Sequence, residues 1–391
     1  MPLQFTPVKL NAQQRKKAEK AGIAIESMAE ADKYYGGPEL GFLSLEYLLC
    51  SNVFLLSRYY HLFGDEKNGK STILFDWLNR YFLEPGGSAT LVETENKLNV
   101  DLVKRMLGEN YSNLDQARVT VLEDAQKAMT LVANAAQALT KKKNMVLFGI
   151  GLDSFRVPAK ATVDQVKTEG NSARNYAIEA GLWRPYLGTF MNLIQDMPVA
   201  LIVVNHARDE AVEGTGIKKK GVGGGTMLKY LESYRILVQT IKRIELTNSS
   251  RSVLSLKTTT NSNGPMNRKI FPEIVYRDPE MEDRVYIDWY AADAALLTGD
   301  GIPRTKLAKE DVCDTKASSE KGLYSDSVLG LTKVPIQEIT QAIYSDPERL
   351  ARFRELNQIS VHKSLEQLAE QGWFFDAKGA KKVVEDDDDE D

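Results

Sequence analysis

Gly64-Asp65-Glu66-Lys67-Asn68-Gly69-Lys70-Ser71-Thr72 sets two glycines, a lysine and two hydroxyls at the spacing G-x-x-x-x-G-K-[ST]. An apolar run ending at Phe63 precedes it, and the helix-compatible Ile73-Leu74-Phe75-Asp76-Trp77-Leu78 follows. Strand, glycine loop and helix in that order make an anion cradle, because backbone N–H groups curl around phosphate oxygens and the positive end of the helix dipole faces them. Residues 64–72 are therefore expected to hold a nucleotide. Lys70 would meet the β- and γ-phosphates and Ser71 would ligate Mg2+. The bland alternative is a glycine turn that happens to precede Lys-Ser.

Such a cradle needs a carboxylate on the magnesium side, at the end of a neighbouring strand. Met145-Val146-Leu147-Phe148-Gly149-Ile150 reads as a strand, and the Gly151-Leu152-Asp153 that follows makes Asp153 the candidate metal ligand with Ser71. Glu93 and Glu95, after the strand Thr90–Val92, offer a base that could polarise an attacking water. Taken singly, each acid reads more readily as a solvated strand end, and beside the glycine loop the balance reverses.

These residues need a scaffold. Strands are expected at Tyr59–Phe63, Thr90–Glu93, Met145–Ile150, Val199–Asn205, Arg235–Thr240 and Val253–Lys257, with helical stretches between the first several. That alternation implies an α/β core whose mostly parallel, twisted sheet is flanked by helices. Residues 1–37 form an N-terminal segment with a partly amphipathic helix over 11–35, ended by Gly36-Gly37-Pro38. The core spans 38–277. Shorter apolar pieces and a helical stretch over Pro335–Gln371 suggest a small C-terminal α+β domain over 278–384, and 385–391 is an acidic tail.

With 391 residues, 43% of them hydrophobic, the chain can bury a large core. Its net charge of −4 comes from 54 acids against 50 bases, and seven of the acids form the run Glu385–Asp391. Without that run the balance is 47 to 50, so nucleic-acid contact would need a local basic patch. A run of seven like charges is expected to be disordered, either solubilising the chain or competing with DNA for basic residues. No apolar stretch approaches the roughly 20 residues that span a bilayer. The start, Met1-Pro2-Leu3-Gln4-Phe5, has no secretory pattern, and two cysteines, Cys50 and Cys313, suggest a reducing compartment. The expectation is a cytoplasmic protein.

The surroundings of the loop say more. Gly41-Phe42-Leu43-Ser44-Leu45-Glu46-Tyr47-Leu48-Leu49, followed at Phe63 by the glycine loop, resembles the start of the RecA recombinase core. Thr94-Glu95-Asn96 is similar to that family's Ala-Glu-His segment, Leu152-Asp153-Ser154 to its Asp-Ser, and Val203-Val204-Asn205-His206 to the Asn-His of phage UvsX-type recombinases. The resemblance covers roughly residues 38–275. It implies that Glu95 rather than Glu93 is the catalytic carboxylate and that His206 senses the γ-phosphate. Lys257 would reach a neighbouring subunit's ATP.

Ala207–Gly224 carries Arg208, Lys218, Lys219, Lys220 and five glycines, and stands where the family has its second DNA-binding loop. Residues 157–180, with Lys160, Lys167 and Arg174, stand where the first would be. A plain solvated loop is the alternative for both. Three departures stand out. Leu102 falls where the family often stacks an aromatic on adenine, Thr259 where a second basic interface residue is expected, and the second loop has no aromatic.

The resemblance implies a DNA-dependent ATPase that forms filaments with itself on single-stranded DNA, pairs them with duplex and exchanges strands, helped by single-strand-binding or mediator proteins. The segment 11–35 would pack on the next subunit or cap its own core. A hexameric helicase or motor on the same fold, or a non-hydrolysing mediator, is the alternative.

Overall fold

The computed structural model describes residues 36–141, 147–169, 176–195, 197–211, 218–222, 231–245, 249–278 and 284–370. The expected helix over 11–35 and the acidic tail lie outside the described residues. In chain order come β1 (Gly36–Gly37), α1 (Leu43–Leu49), β2 (Tyr59–Gly64), α2 (Lys70–Leu78), β3 (Ser88–Glu93), α3 (Val100–Leu107), β4 (Leu114–Arg118), α4 (Leu122–Lys141), β5 (Phe148–Asp153), α5 (Lys160–Glu169), α6 (Tyr176–Ile194) and β6 (Val199–Ala211). A run of strands follows: β7 (Lys218–Val222), β8 (Tyr234–Glu245), β9 (Ser250–Asn261), β10 (Lys269–Ile270), β11 (Glu273–Asp278) and β12 (Arg284–Asp288). The remainder is α7 (Trp289–Ala295), α8 (Arg304–Lys309), β13 (Thr315–Ala317), β14 (Tyr324–Asp326), β15 (Leu331–Val334), α9 (Ile336–Tyr344), α10 (Pro347–Leu356), β16 (Lys363–Ser364) and α11 (Leu365–Glu370).

The main sheet has eleven strands, ordered β12-β11-β9-β8-β2-β6-β5-β3-β4, with β10 on β9 and β7 on β6. From β8 to β4 every neighbour on this path is parallel. From β8 to β12 every neighbour is antiparallel. The mostly parallel sheet expected from the sequence is thus half of the story. Parallel partners need long crossovers, which the helices supply up to β6, whereas the short connections after β8 can only fold the chain back beside itself.

The fifth strand runs Phe148–Asp153 rather than Met145–Ile150, and its glycines explain the shift. A Cβ on Gly149 would lie 2.7 Å from Leu78 and 2.9 Å from Phe82, and one on Gly151 would lie 3.1 Å from Leu74. Those positions are bare so that α2 and the turn after it can settle directly on the sheet. Gly149 and Gly151 are what let the strand reach Asp153 under a helix.

Helices cover both faces of the sheet. One core gathers α1, α2 and α3 around Leu62, Val204 and Leu254, and the other packs α4 and α6 on Ile150, Leu152 and Leu201. On the second face a buried charge cluster fastens β2 to the start of β8. His61 Nδ1 lies 2.6 Å from Glu232 Oε1, and Arg235 donates to the same carboxylate. Buried charges are tolerated where they are paired in this way.

The sheet does not end at residue 278, where the sequence suggests a new domain. β12 pairs with β11 beyond that point. The C-terminal elements build a third core around Leu297, Ile339 and Phe353, and polar contacts tie it to α1. Arg354 grips Glu46 through two hydrogen bonds of 2.7 and 2.8 Å, and the Tyr344 hydroxyl donates to the same carboxylate at 3.0 Å. Nearby, fully buried Asp293 accepts the Ser44 N–H at 2.8 Å and the Thr340 hydroxyl at 3.4 Å. Cys50 and Cys313 are free and buried. No helix among the described residues is long and apolar enough to cross a membrane.

Burial pushes the Asp293 carboxyl up to about 7, against the opposing hydrogen bonds from Ser44. A carboxyl whose folded pKa exceeds its unfolded value of 3.8 stabilises the fold less as the pH rises between those two values. Asp293→Asn keeps an acceptor for Ser44 and removes the charge. The variant's melting temperature relative to the native chain should therefore climb from acid to about pH 7 and then level off. A pH-independent difference would refute this account.

Candidate functional site

The parallel register brings the carboxyl ends of β2, β5 and β3 and the middle of β6 to within two residues of one level. Gly64 on β2 stands beside His206 on β6, Asp153 on β5 lies between Val204 and Glu93, and Glu93 ends β3. Ligands in open α/β sheets sit outside this end of the strands. A cleft of about 1330 Å³ opens there, and Lys70, Ser71, Asp153, Glu95 and His206 all line it.

The loop from Gly64 to Gly69 has the backbone that its glycines permit. A Cβ on Gly64 would fall 2.1 Å from the Val238 carbonyl oxygen of β8. Only glycine fits so close to a neighbouring strand. Gly69 has φ +80°, and its missing side chain avoids Ile274 at 2.5 Å. It caps α2 without a side-chain hydrogen bond, so the first N–H groups of the helix receive no side-chain acceptor from their cap. Asp65, Glu66, Lys67 and Asn68 form the intervening loop. Lys67 takes a positive φ of 59°, and Asn68 Nδ2 donates to the Val238 carbonyl at 3.4 Å.

Lys70 is buried and donates from Nζ to the Asp65 carbonyl at 2.6 Å. Burial lowers its pKa, while Asp153 and Glu95 are the largest influences holding its charge. Asp153 shows the reverse balance. Burial raises its pKa, and a hydrogen bond from Ser71 opposes this most strongly, ahead of the nearby Lys70 charge. Ser71 and Asp153 are thus already adjacent. Among the described residues no group of three or more His, Cys, Asp or Glu side chains could hold a metal. The pair fits Mg2+ only as magnesium is usually held beside nucleotides, by one or two protein oxygens with phosphate oxygens completing the set.

The two candidate bases separate clearly. Glu93 is buried and spends its Oε1 on the Lys97 N–H at 3.0 Å. Glu95 Oε1 accepts the Ser154 hydroxyl at 2.5 Å and lies 2.8 Å from His206 Nε2. The His206 bond is the main reason that the Glu95 carboxyl falls to about 2, with Ser154 adding to it against burial. An ionised carboxylate only accepts, so Nε2 carries the proton in this pair. A carboxylate held this way stays charged at any ordinary pH and is pinned beside Lys70.

Other sequence candidates lie elsewhere. Lys257 sits on β9 opposite Leu237, and it does not line the cleft of its own chain. Thr259, on the same strand, bonds the Arg235 carbonyl at 3.3 Å. The stretch around Arg208 and Lys218–Lys220, expected as a flexible loop, is in part a two-stranded antiparallel ribbon, in which Arg208 pairs with Gly221, Asp209 with Lys220, Glu210 with Lys219 and Ala211 with Lys218. The glycines that suggest flexibility flank the paired residues or, at Gly221, sit within them. Only the tip and the residues after Val222 lie outside the described residues. The other expected loop, 157–180, contains α5, which carries Lys160 and Lys167, and the start of α6. Arg174 lies outside the described residues.

Tyr276 and Arg243 are among the cleft residues that no motif contains. Tyr276, from β11, supplies the flat aromatic surface that Leu102 on α3 lacks, and both line the cleft. Arg243, from β8, joins them. No local pattern announces either one, because antiparallel pairing across β8, β9 and β11 brings them in.

Replacing His206 by Phe removes the donor that depresses Glu95, whose pKa should then rise toward its ordinary 4.5. A depressed carboxylate contributes stability above its unfolded pKa and loses it as the pH falls toward the folded value. The native chain should therefore out-melt His206→Phe at neutral pH by a margin that shrinks below about pH 4.5. A margin that does not change over this range would sink the coupling. No family model matches this chain and no curated protein matches it, so the reading of the cleft rests on its own geometry.

Proposed function

We propose that this chain is an ATP-hydrolysing recombinase of the RecA type, similar to phage UvsX-type proteins, that assembles with itself on single-stranded DNA and exchanges strands with duplex. One observation carries the reading. β6 ends its parallel pairing at His206, whose ring holds Glu95 in the cleft, and continues without a break into the ribbon bearing Arg208 opposite the Lys218–Lys220 strand. A single stiff strand therefore links the carboxylate beside Lys70 to the most basic stretch near the cleft. A displacement of His206 by a γ-phosphate is transmitted along the backbone to the ribbon.

The roles follow from position. The Gly64–Gly69 backbone and Lys70 bind the phosphates, and Glu95 orients a water for attack. Mg2+, held by Ser71 and Asp153, would neutralise phosphate charge. Tyr276 and Leu102 offer the base an aromatic and an aliphatic face. Lys257 lies outside its own chain's cleft, which fits a residue that works on a neighbouring copy's nucleotide. Single-strand-binding and mediator proteins are the expected auxiliary partners.

The test is ATP turnover with and without single-stranded DNA, for the native chain and Lys70→Ala, with electron micrographs of the same mixtures. DNA-stimulated turnover with open filaments, both lost in the variant, is expected. Closed rings or DNA-independent turnover would instead favour a motor ATPase. Separately, replacing Lys218, Lys219 and Lys220 together by Ala should reduce the salt slope of single-strand binding by about 2, at roughly 0.7 per lost phosphate contact. An unaltered slope would place the DNA elsewhere.

A further inference from the structure

β8 and β9 pair in regular register except at two places. At one of them Thr240 pairs with Leu254 and Lys242 with Val253, so that Ile241 is an extra residue without a partner. A β-bulge of this kind shifts the two-residue alternation by one and re-aims the side chains beyond it. Without it, Thr240 and Lys242 would share a face. With it, Thr240 and Arg243 do, and both line the cleft while Lys242 does not. Ile241 is itself 54% exposed, so it gains little from burial. The irregularity exchanges one cation for another at the cleft wall.

The rest of that wall is in register with it. Arg243 pairs with Ser252, which pairs in turn with Ile274, and Glu245 pairs with Ser250, which pairs with Tyr276. The Arg243 guanidinium is exposed, and it donates to the Lys67 carbonyl of the glycine loop at 3.4 Å, near the limit of a useful hydrogen bond. Among the described residues no carboxylate forms an ion pair with it. It also lies close to Tyr276, whose phenol is raised by burial while a Thr72 hydrogen bond and the Arg243 charge pull it back. Glu95 and His206, bonded to each other, lie with Lys70 and Asp153, where the nucleotide reading puts the γ-phosphate.

We propose that Arg243 is a nucleotide-binding residue that leaves the Lys67 carbonyl to bind the phosphate nearest the ribose, the α-phosphate, in its own subunit. This rests on the nucleotide reading of the cleft and adds to it a cation that the G-x-x-x-x-G-K-[ST] pattern does not contain. A guanidinium suits the task because its planar fork stays charged and engages phosphate oxygens in pairs. Its position beside Tyr276 and Thr72 assigns it to the base end of the nucleotide, so it contributes equally to binding ATP and ADP.

The experiment is equilibrium binding of fluorescent ATP and ADP to the native chain, Arg243→Ala, Arg243→Lys and Lys242→Ala, together with turnover at saturating ATP. Loss of one charge-assisted contact should raise both dissociation constants by about tenfold in Arg243→Ala. Arg243→Lys should recover part of the loss, and Lys242→Ala should match the native chain. A fall in kcat at saturating ATP larger than the fall in affinity would overturn the assignment, since a contact that is the same in the bound and reacting states acts on binding. Native-like affinity in Arg243→Ala overturns the assignment, as does a loss confined to ATP, or weakened DNA binding with nucleotide affinity intact. A native chain that binds neither nucleotide would overturn the nucleotide reading itself, and this inference with it. Tight native binding that is unaffected by Arg243→Ala removes the inference alone.

Discussion

The parallel register of β2 against β6 is the constraint on which the site depends. It sets Gly64 level with His206, while β5 and β3 hold Asp153 and Glu93 level with Val204, two residues before His206. A one-residue slip would turn every side chain of a strand to the other face, so a register buried on both sides is strongly specified. Here both faces are buried under helices, and the bare positions at Gly149 and Gly151 let α2 lie close enough to point its first turn at Asp153. The chemistry of the cleft follows from that alignment. Lys70 is desolvated, Asp153 is pushed up by burial, and Glu95 is held down by His206, all within one small volume.

Much of this is legible in the sequence because its signals are local. The glycine loop needs a strand before it and a helix after it, and both are adjacent in the chain. Asp153 follows an apolar run, and Glu95 and His206 stand at or just past strand ends. The readable part is therefore the parallel half. The antiparallel half was not legible in the same way. Tyr276 and Arg243 reach the cleft through the pairing of β8, β9 and β11, and through one unpaired residue at Ile241, none of which leaves a pattern in spacing or composition.

Glycine was the residue most easily misread. Around Arg208 and Lys218–Lys220 a glycine-rich composition suggests a flexible loop, yet the backbone pairs as a ribbon that prolongs β6. At β5 the expected strand stops at Ile150, yet pairing continues through Gly151 to Asp153. In each case composition describes freedom in the unfolded chain, whereas the folded role is set by what packs against the bare Cα. At Gly64 the decisive neighbour is a carbonyl of β8, a strand some 170 residues further along.

The division of the sheet also bears on how the chain reaches its native state. β8, β9, β11 and β12 are near neighbours in sequence and can pair at small loop-closure cost. β2 must instead find β6 and β8, with Tyr59 pairing to Leu201 and Tyr60 to Tyr234. Long-range parallel pairings of that kind form slowly, because the entropy of closing large loops is spent before the contacts compensate it. The cleft draws one wall from the local meander and its floor from the long-range block, so it is complete only when the last of these pairings closes. Any ligand that this cleft held would accordingly report the fully assembled chain and no partly folded form of it.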